Sequence, residues 1–289
     1  MGKLRRAGTA ALAAVLIVAT CAGGQTVRSQ GRGSSAARPP HSGCERSAFR
    51  VVVDVGHTLA VPGAISARGI PEYAFNLNLA TDIGQALADA GFRKTVLLIT
   101  TTAPWIGLVE RAKRANSIPA ELFISIHHDS VPDNLLETWE YEGQQNHFSD
   151  RFKGYAIFVS QDNAQRAASL QFGKLLGKEL QARGLQYTPH YTLPLMRNRR
   201  RELLDAEAGV YRYDQLIVLR ETRMPAVLLE AGSIINRQEE VELASPERRA
   251  RTSAAVAAAV ADFCDARSRA NGKRSLGYPL LRRRRSSGW

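Results

Sequence analysis

The stretch LFISIHHDS, residues 122–130, is an apolar run that ends at two adjacent histidines and an aspartate. A short, nearly continuous apolar run of this kind predicts a strand that is covered on both faces. Side chains alternate between the two faces of a strand, so His127 and His128 must point in opposite directions. Alternation alone does not decide which of them faces a site at the strand's carboxyl end. Together with the other residues considered below, we expect this to be His127, with His128 as a packing or supporting residue.

Five other apolar runs predict further strands, and helical patterns lie between them. The predicted strands are residues 49–55, 95–100, 122–126, 155–160, 216–220 and 226–230. The predicted helices are residues 72–90, 105–117, 164–183 and 238–266. This alternation predicts a single α/β domain with a mostly parallel central sheet, flanked by helices on both faces. The connections 129–154 and 185–214 are long enough to be functional loops or lids.

The first 22 residues have the composition of an export signal. Three basic residues precede an apolar stretch at residues 10–19, and small and polar residues follow it. This stretch is too short to span a bilayer as an ordinary transmembrane helix. Two processing routes stay open: a simple cut near Ala22, or a lipoprotein cut that leaves a lipid on Cys21. Both predict an exported protein of the periplasm or cell envelope, with no transmembrane segment in the mature chain.

The charge of the chain lies mostly outside the predicted domain. We predict a disordered linker at residues 23–46, one folded domain at 47–266 and a basic disordered tail at 267–289. Of the net charge of +12, the signal carries +3 and the tail +8, which leaves +1 for residues 23–266. A nearly neutral domain argues against a nucleic-acid partner. The tail either holds the protein near an anionic surface or is simply solvated.

Cys44 and Cys264 lie near opposite ends of the predicted domain. In an oxidising compartment two such cysteines can pair. If the last helix runs antiparallel to the sheet, its end returns to the edge where the first strand begins. The sequence leaves two alternatives open, a disulfide or two buried thiols.

Four residues with metal-binding or acid–base side chains are predicted to meet at one edge of the sheet. His57, His127 and Glu230 each follow or close a predicted strand, and Glu72 begins the first helix. In open α/β sheets, reactive groups gather at the carboxyl ends of the strands. Taken singly, each histidine could be structural, and Glu72 could simply complement the helix dipole. Glu230 is harder to explain in that way, because a buried unpaired carboxylate is costly.

Taken together, these residues predict a metal site. Two imidazoles and one carboxylate form the usual open ligand set of catalytic zinc, with the fourth position left for water or substrate. A second carboxylate that does not bind the metal is then needed to move the proton of the water. We therefore predict His57, Glu72 and His127 as ligands of Zn²⁺, and Glu230 as the catalytic base and acid.

At this point the chain resembles a known family. The segments VVVDVGH, LFISIHHDS and MPAVLLEAGSIIN, in this order, are similar to the three signature regions of the zinc-dependent N-acetylmuramoyl-L-alanine amidases. The resemblance covers about residues 50–265, nearly all of the folded part. It implies the same three zinc ligands and the same catalytic glutamate. It also implies the reaction: hydrolysis of the amide between N-acetylmuramic acid and L-alanine in peptidoglycan.

The sequence departs from the family pattern at two places. The segment GHTLAVPGA lacks the Gly-Gly that commonly follows the first histidine, so the backbone course of this loop is uncertain from sequence. His128 stands where a small residue, often alanine, is usual. Neither departure removes a ligand.

The insert at residues 129–154 raises a hypothesis about regulation. It carries Glu137, Glu140 and Glu142 beside aromatic residues. Some family members keep an inserted segment over the zinc until a partner protein displaces it. The insert is therefore either such a cap, on which an activator protein acts, or a loop that lines the substrate cleft. We predict that His147 and His190, in the two long connections, are surface residues.

Two other functions compete with the amidase reading. A zinc peptidase that cuts the stem peptide would use the same ligand set, and only the wider resemblance separates the two. A noncatalytic wall-binding protein would be expected to have lost a ligand or the catalytic acid, and all four residues are present.

Overall fold

The computed structural model of the protein describes residues 43–101 and 104–276. The predicted signal, most of the predicted linker and the end of the basic tail lie outside these residues. Among the described residues, no helix combines the length and the apolar composition needed to cross a bilayer.

A seven-stranded sheet forms the centre of the described part of the chain. The strands of the described residues, seven in this sheet and two in a hairpin, are β1 Val51–Val55, β2 Val96–Leu98, β3 Leu122–Asp129, β4 Glu137–Tyr141, β5 Gln144–Phe148, β6 Ala156–Val159, β7 Leu203–Asp205, β8 Val210–Arg212 and β9 Ala226–Ser233. The order in the central sheet is β2-β1-β3-β9-β6-β8-β7, while β4 and β5 form a separate hairpin. Only the β6–β9 and β7–β8 pairs of the central sheet are antiparallel. The prediction of a mostly parallel sheet is confirmed.

Helices cover both faces of this sheet, as predicted. They are α1 Glu72–Asp89, α2 Pro104–Ser117, α3 Arg166–Ala182, α4 Ile217–Glu221, α5 Arg237–Ala244 and α6 Pro246–Leu276. One apolar core joins α1, α3 and α6 to one face. A second core joins α2, α4 and the 3-10 turns His190–Thr192 and Pro194–Arg199 to the other face. Because β1, β3 and β9 are covered on both sides, their sequences are mostly apolar, and their charged residues and histidines lie near their carboxyl ends.

The predicted strand at 216–220 is wrong, because this segment is the short helix α4. A five-residue apolar run cannot be assigned to strand or helix by periodicity alone. The structure favours the helical turn because it buries Val218 and Leu219 together in the second core. The side-chain amide of Asn163 also donates to the backbone carbonyls of Leu219 and Thr222, each at 2.7 Å. These bonds satisfy carbonyl groups that the end of a helix leaves free.

Three other parts of the secondary structure differ from the predicted elements. The predicted helix 238–266 is divided at Ser245 into α5 and α6, because Pro246 has no backbone N–H and suits only the first turn of a helix. The second helix then continues past residue 266 as far as Leu276. The connection 185–214 contains the short strands β7 and β8, which the sequence analysis does not predict.

Cys44 and Cys264 form a disulfide, with their Cα atoms 5.4 Å apart. This separation lies within the usual range for disulfide bonds. The bridge joins the segment before β1 to the middle of α6, which are 220 residues apart in the chain. The structure thus decides between the two alternatives that the sequence leaves open.

Candidate metal centre

The carboxyl ends of β1, β3 and β9 meet at one edge of the sheet because the three strands are parallel and adjacent. Val55 lies beside Ile126, and His127 lies beside Glu230, in the register of the sheet. The loop after β1 carries His57 and leads to Glu72 at the start of α1. The edge therefore brings together all four residues that the sequence analysis selects.

Glu72 lies between the two histidines and contacts both. Its Oε2 is 3.0 Å from Nε2 of His57, and its Oε1 is 3.0 Å from Nδ1 of His127. The ligand atoms of the three residues all lie within 4.8 Å of one another. Three donors at this spacing could share one metal ion.

The electrostatics of Glu72 suit a metal ligand. The side chain is buried, and burial opposes its ionisation. Hydrogen bonds and charges from His127 and His57 outweigh burial and hold the pKa of this carboxyl well below its usual value. Glu72 is therefore ionised at neutral pH, as a carboxylate ligand must be.

Two glycines leave room for the cluster. A Cβ atom on Gly63 would lie 2.8 Å from Nε2 of His57 and closer still to Oε2 of Glu72. A Cβ atom on Gly56 would overlap the imidazole of His127. The backbone of this loop thus approaches the three donors as closely as only glycine permits. The space and the donor set, two imidazoles and one carboxylate, both fit a zinc ion.

His57 has an unusual backbone conformation, with φ at 65°. This left-handed conformation is uncommon for any residue except glycine and costs roughly 1–3 kcal/mol. Such strain persists only where the surrounding structure determines the conformation, and it clusters at functional sites. At this position the conformation turns the chain as it leaves β1 and begins the loop toward Glu72.

Glu230 lies on the same face of the sheet as His127, beside it in the register of β3 and β9. Its Oε2 atom is buried and has no hydrogen-bond partner among the described residues. Burial, followed by the negative charges of Asp129 and Glu72, raises the pKa of the Glu230 carboxyl well above its usual value, while Arg199 acts in the opposite direction. A buried carboxyl without a partner is costly, which is typical of a group kept for chemistry.

His128 points to the opposite face and is 3 % exposed. Its Nδ1 lies 2.7 Å from Oδ1 of Asn76, and its backbone N–H donates to Oε1 of Glu72 at 3.2 Å. Asn76 also donates to Oε1 of Glu72, at 3.2 Å. Burial is the largest influence on the His128 imidazole and lowers its pKa to about 3. His128 is thus a neutral residue that supports Glu72 from behind.

The insert forms the β4–β5 hairpin beside the loop that precedes Glu72. The indole N–H of Trp139 donates to the carbonyl of Ala67 at 2.8 Å. Glu137, Glu140 and Glu142 are all exposed, and none belongs to the group of possible metal ligands found among the described residues. The structure therefore contradicts a cap in which one of these three carboxylates binds the metal.

A second polar cluster lies beside Glu230, and the sequence analysis misses it. The hydroxyl of Tyr191 donates to Oδ1 of Asp129 at 2.6 Å, and Nε2 of His190 lies 3.3 Å from Oδ2 of the same carboxylate. His190 is 3 % exposed, so its assignment to the surface is wrong. The reason is that the 185–214 connection packs on the sheet instead of extending into solvent. His147 is exposed, as predicted.

An apolar cavity of about 240 Å³ opens next to the cluster on the face that carries His127. His57 and His127 form part of its wall. Most of the remaining lining comes from α2, from α4 and from the loop after His57, with Leu108 and Val218 among the apolar residues. A substrate can therefore reach the candidate metal position from this side, whereas the side of His128 is closed.

The fold and the site together define a class of protein. An α/β sheet that holds two imidazoles, a carboxylate and a separate half-buried glutamate at one edge has the donor set of a metal-dependent hydrolase. A family model described as N-acetylmuramoyl-L-alanine amidase matches residues 51–262. The chain belongs to this family.

Solved structures with the same fold include several amidases. The N-acetylmuramyl-L-alanine amidase Ami1 from Mycobacterium smegmatis is 20 % identical, with a TM-score of 0.57, over 76 % of this chain and 98 % of that one. Ami1 from Mycobacterium abscessus is 23 % identical, with a TM-score of 0.56, over 75 % and 98 %. The catalytic domain of CwlV from Bacillus (Paenibacillus) polymyxa var. colistinus is 26 % identical, with a TM-score of 0.54, over 75 % and 98 %. No curated protein matches this chain in sequence.

Proposed function

We propose that this protein is a zinc-dependent amidase that hydrolyses the bond between N-acetylmuramic acid and L-alanine in peptidoglycan. The observation that carries the proposal is the meeting of His57, Glu72 and His127 at one point, beside Glu230, whose Oε2 has no hydrogen-bond partner in the described part of the chain. Membership in the amidase family supports the choice of bond. We place the catalytic domain at residues 47–266.

The two histidines and Glu72 would hold the zinc ion. When bound there, zinc supplies water activation near neutral pH and polarisation of the substrate carbonyl. Glu72 and His127 are fixed relative to each other by their 3.0 Å contact, and His128 and Asn76 hold Glu72 from behind. The ligand geometry is therefore largely formed before substrate arrives, which is what catalysis by positioned groups requires.

Glu230 moves the proton in this scheme. It accepts a proton from the water that attacks the lactyl carbonyl, and it donates that proton to the alanine nitrogen as the C–N bond breaks. Burial and the negative charges of Asp129 and Glu72 raise the pKa of Glu230, which favours the first of these steps, the acceptance of the proton. The products are a free carboxyl group on the muramic acid and a stem peptide with a free amino terminus.

The experiment that tests this function is digestion of purified peptidoglycan followed by mass spectrometry of the products. We expect release of stem peptides that begin at L-alanine, and loss of this release when a chelator removes the metal. Added zinc should restore it. Cleavage between two residues of the stem peptide would instead support the rival zinc peptidase, and binding to the wall without any cleavage would support the noncatalytic protein.

We also propose that the protein is exported to the periplasm or cell envelope, through the predicted signal at residues 1–22. Lipidation of Cys21 remains an alternative to simple cleavage near Ala22. Mass spectrometry of the mature protein from envelope fractions distinguishes the two, because only the lipoprotein retains Cys21 and carries acyl groups.

We further propose that an activator protein acts on the insert at residues 129–154. The support is limited to the exposed hairpin and to one solved structure of similar fold, the CwlD amidase from Clostridioides difficile in complex with the GerS lipoprotein. That chain is 16 % identical, with a TM-score of 0.53 over 75 % of this chain. Activity of the full-length protein and of a variant without residues 134–147, each with and without envelope extract, tests whether stimulation requires the hairpin.

A further inference from the structure

We propose that Arg111 is a positioning residue for the first metal ligand, because its guanidinium holds the backbone of His57 in the conformation that directs the imidazole toward Glu72. This inference rests on the proposed metal site and adds to it a residue that lies outside the ligand set. A guanidinium is always protonated and is not a metal ligand, and because Arg111 also lines the cavity beside His57 and His127, its role is tested on metal binding without substrate.

The contacts of Arg111 connect it to three successive parts of the chain at the end of β1. Its Nη1 donates to Oδ1 of Asp54 at 2.5 Å and also to the carbonyl of Val55. Its Nη2 donates to the carbonyl of His57 at 2.9 Å. Arg111 is 5 % exposed, so water does not compete effectively for these bonds. One rigid side chain therefore fixes the backbone immediately before and at the metal ligand.

Asp54 extends this support to the strand that carries the third ligand. It is fully buried, and its Oδ2 accepts a hydrogen bond from the hydroxyl of Ser125 at 2.6 Å. Ser125 lies two residues before His127 on the same face of β3. The path from Ser125 through Asp54 and Arg111 therefore joins the strand of His127 to the loop of His57.

The conformation of His57 explains why such support is needed. Its φ of 65° lies in the left-handed region, which residues other than glycine adopt uncommonly. A change in this angle would swing the imidazole away from Oε2 of Glu72, 3.0 Å from its Nε2. The bond from Arg111 to the carbonyl of His57 favours the observed orientation of that peptide group. The strained backbone and its restraint thus occur at the same residue.

The charge of Arg111 is also compatible with a nearby cation. A lone buried guanidinium close to the candidate metal position would repel a divalent ion. Here the carboxylate of Asp54 compensates that charge at 2.5 Å. The pair can therefore stay in place when the metal binds. Lysine could keep the charge, but its single ammonium lacks the planar fork that bonds the carboxylate and the two carbonyls together.

The test compares zinc affinity in Arg111→Lys and in a matched control, Arg248→Lys. Arg248 is 6 % exposed, donates to the carbonyl of Ala231 at 3.0 Å and lies 3.5 Å from Glu239, so its burial and its types of contact resemble those of Arg111. Affinity is measured on metal-free protein by competition with a chromophoric chelator. We expect a loss of about 10–100-fold for Arg111→Lys, the usual result when a partner of a metal ligand is removed. The control should stay close to wild type.

Two further readouts separate positioning from general stability. The melting temperatures of the two metal-free variants show whether both substitutions destabilise the fold to a similar degree. The visible absorption of the cobalt-substituted protein reports ligand geometry, and it should change only for Arg111→Lys. If Arg111→Lys does not fold, Asp54→Asn keeps the shape of the side chain, removes its charge, and should give a smaller affinity loss in the same direction.

Wild-type zinc affinity and an unaltered cobalt spectrum in Arg111→Lys would overturn the proposal, and so would equal losses of affinity in Arg248→Lys. These measurements do not require turnover. If this protein binds zinc through His57 but leaves peptidoglycan intact, the proposed function is refuted. The zinc affinity of Arg111→Lys still tests the positioning role in that case.

Discussion

His127 and His128 are neighbours in sequence, yet the structure places them in two different environments. On the side of His127, the imidazole contacts an ionised carboxylate and borders an apolar cavity that includes His57. On the side of His128, the imidazole is 3 % exposed and is held by Asn76 under α1. Among the described residues, the side of His127 is open to the cavity and has polar groups without hydrogen-bond partners. The side of His128 is closed, and its imidazole is hydrogen-bonded.

The comparison shows that strand parity, rather than residue type, assigns the roles at this edge. Glu230 shares the face of His127, so the unpartnered carboxyl lies on the open side. Asn76 and the backbone N–H of His128 reach Glu72 from the closed side. Glu72 joins the two environments, because one of its oxygens contacts His57 and the other contacts His127, Asn76 and His128.

Substitution of each histidine by alanine should give the largest contrast. His127→Ala removes one of the three proposed ligands, so we expect loss of stoichiometric zinc binding and of peptidoglycan cleavage. His128→Ala keeps the backbone N–H that bonds Glu72 and removes only the contact of the imidazole with Asn76, so we expect one zinc per chain to remain, with affinity reduced by about 10–100-fold at most. Zinc content after dialysis against buffer checks both. Retention of zinc by His127→Ala, or its complete loss in His128→Ala, would reverse the assignment of the two faces.

Substitution of the unpartnered carboxyl should separate binding from turnover on the open side. Glu230→Gln keeps the size of the side chain but cannot exchange the proton, so we expect turnover to fall by about 10²–10⁴-fold while zinc affinity is retained. Turnover is followed by the release of stem peptide under saturating zinc.

Glu239→Gln is the matched control for this carboxylate. Glu239 is also buried, but its Oε2 accepts backbone hydrogen bonds from Gly154 and Ser233. It therefore has a structural role, and its substitution should lower stability more than turnover. A Glu230→Gln enzyme that is as active as wild type would remove Glu230 from the mechanism.

The central part of the site could be predicted from sequence because it depends on strand ends. Parallel neighbouring strands bring their carboxyl ends to one edge, so His57, His127 and Glu230 could be placed without coordinates. The second cluster could not be placed in this way. Tyr191 meets Asp129 across 62 residues of chain, through a segment with no strand or helix period. The only local sign was the aspartate itself, at the end of a buried strand.

The fold was predictable to a similar extent and for a related reason. β1, β3 and β9 are buried on both faces, and this burial makes their sequences apolar. The strands β7 and β8 have only three residues each, too few to show any alternation. The helix α4 owes its form to contacts with Asn163, which is far away in sequence. Tertiary contacts of this kind have no local signal.

The closed side should also be detectable through the pH dependence of stability. Burial lowers the pKa of His128 to about 3, from an ordinary value of 6.5, so the folded protein favours the neutral imidazole. The contribution of this shift to the free energy of unfolding is complete above pH 6.5. It is lost as the pH falls toward 3, at roughly 1.4 kcal/mol for each pH unit.

Denaturant unfolding of metal-free protein between pH 7 and pH 4 measures this slope. The glutamine of His128→Gln does not titrate at position 128, so the unfolding free energy of this variant should decline less steeply with falling pH than that of wild type. The exposed His147 provides the comparison, and His147→Gln should retain the wild-type slope. Equal slopes for wild type and His128→Gln would mean that His128 is protonated in the folded state, and that its side of the strand is not closed.

Deletion of the hairpin should have the smallest effect, because the hairpin belongs to neither side of β3. Its strands β4 and β5 pair only with each other in the sheet topology. The hairpin contacts the loop that precedes Glu72 through the bond from Trp139 to Ala67. Without residues 134–147, zinc stoichiometry and the pH slope should match wild type. Cleavage of peptidoglycan without a partner should be unchanged or lower, because the deletion removes the bond from Trp139 to Ala67 and the contacts of Trp139 and Tyr141 with Arg68, all made to the loop that precedes Glu72. A clear rise in cleavage would mean that the hairpin obstructs the open side in solution, by contacts other than those of its three glutamates.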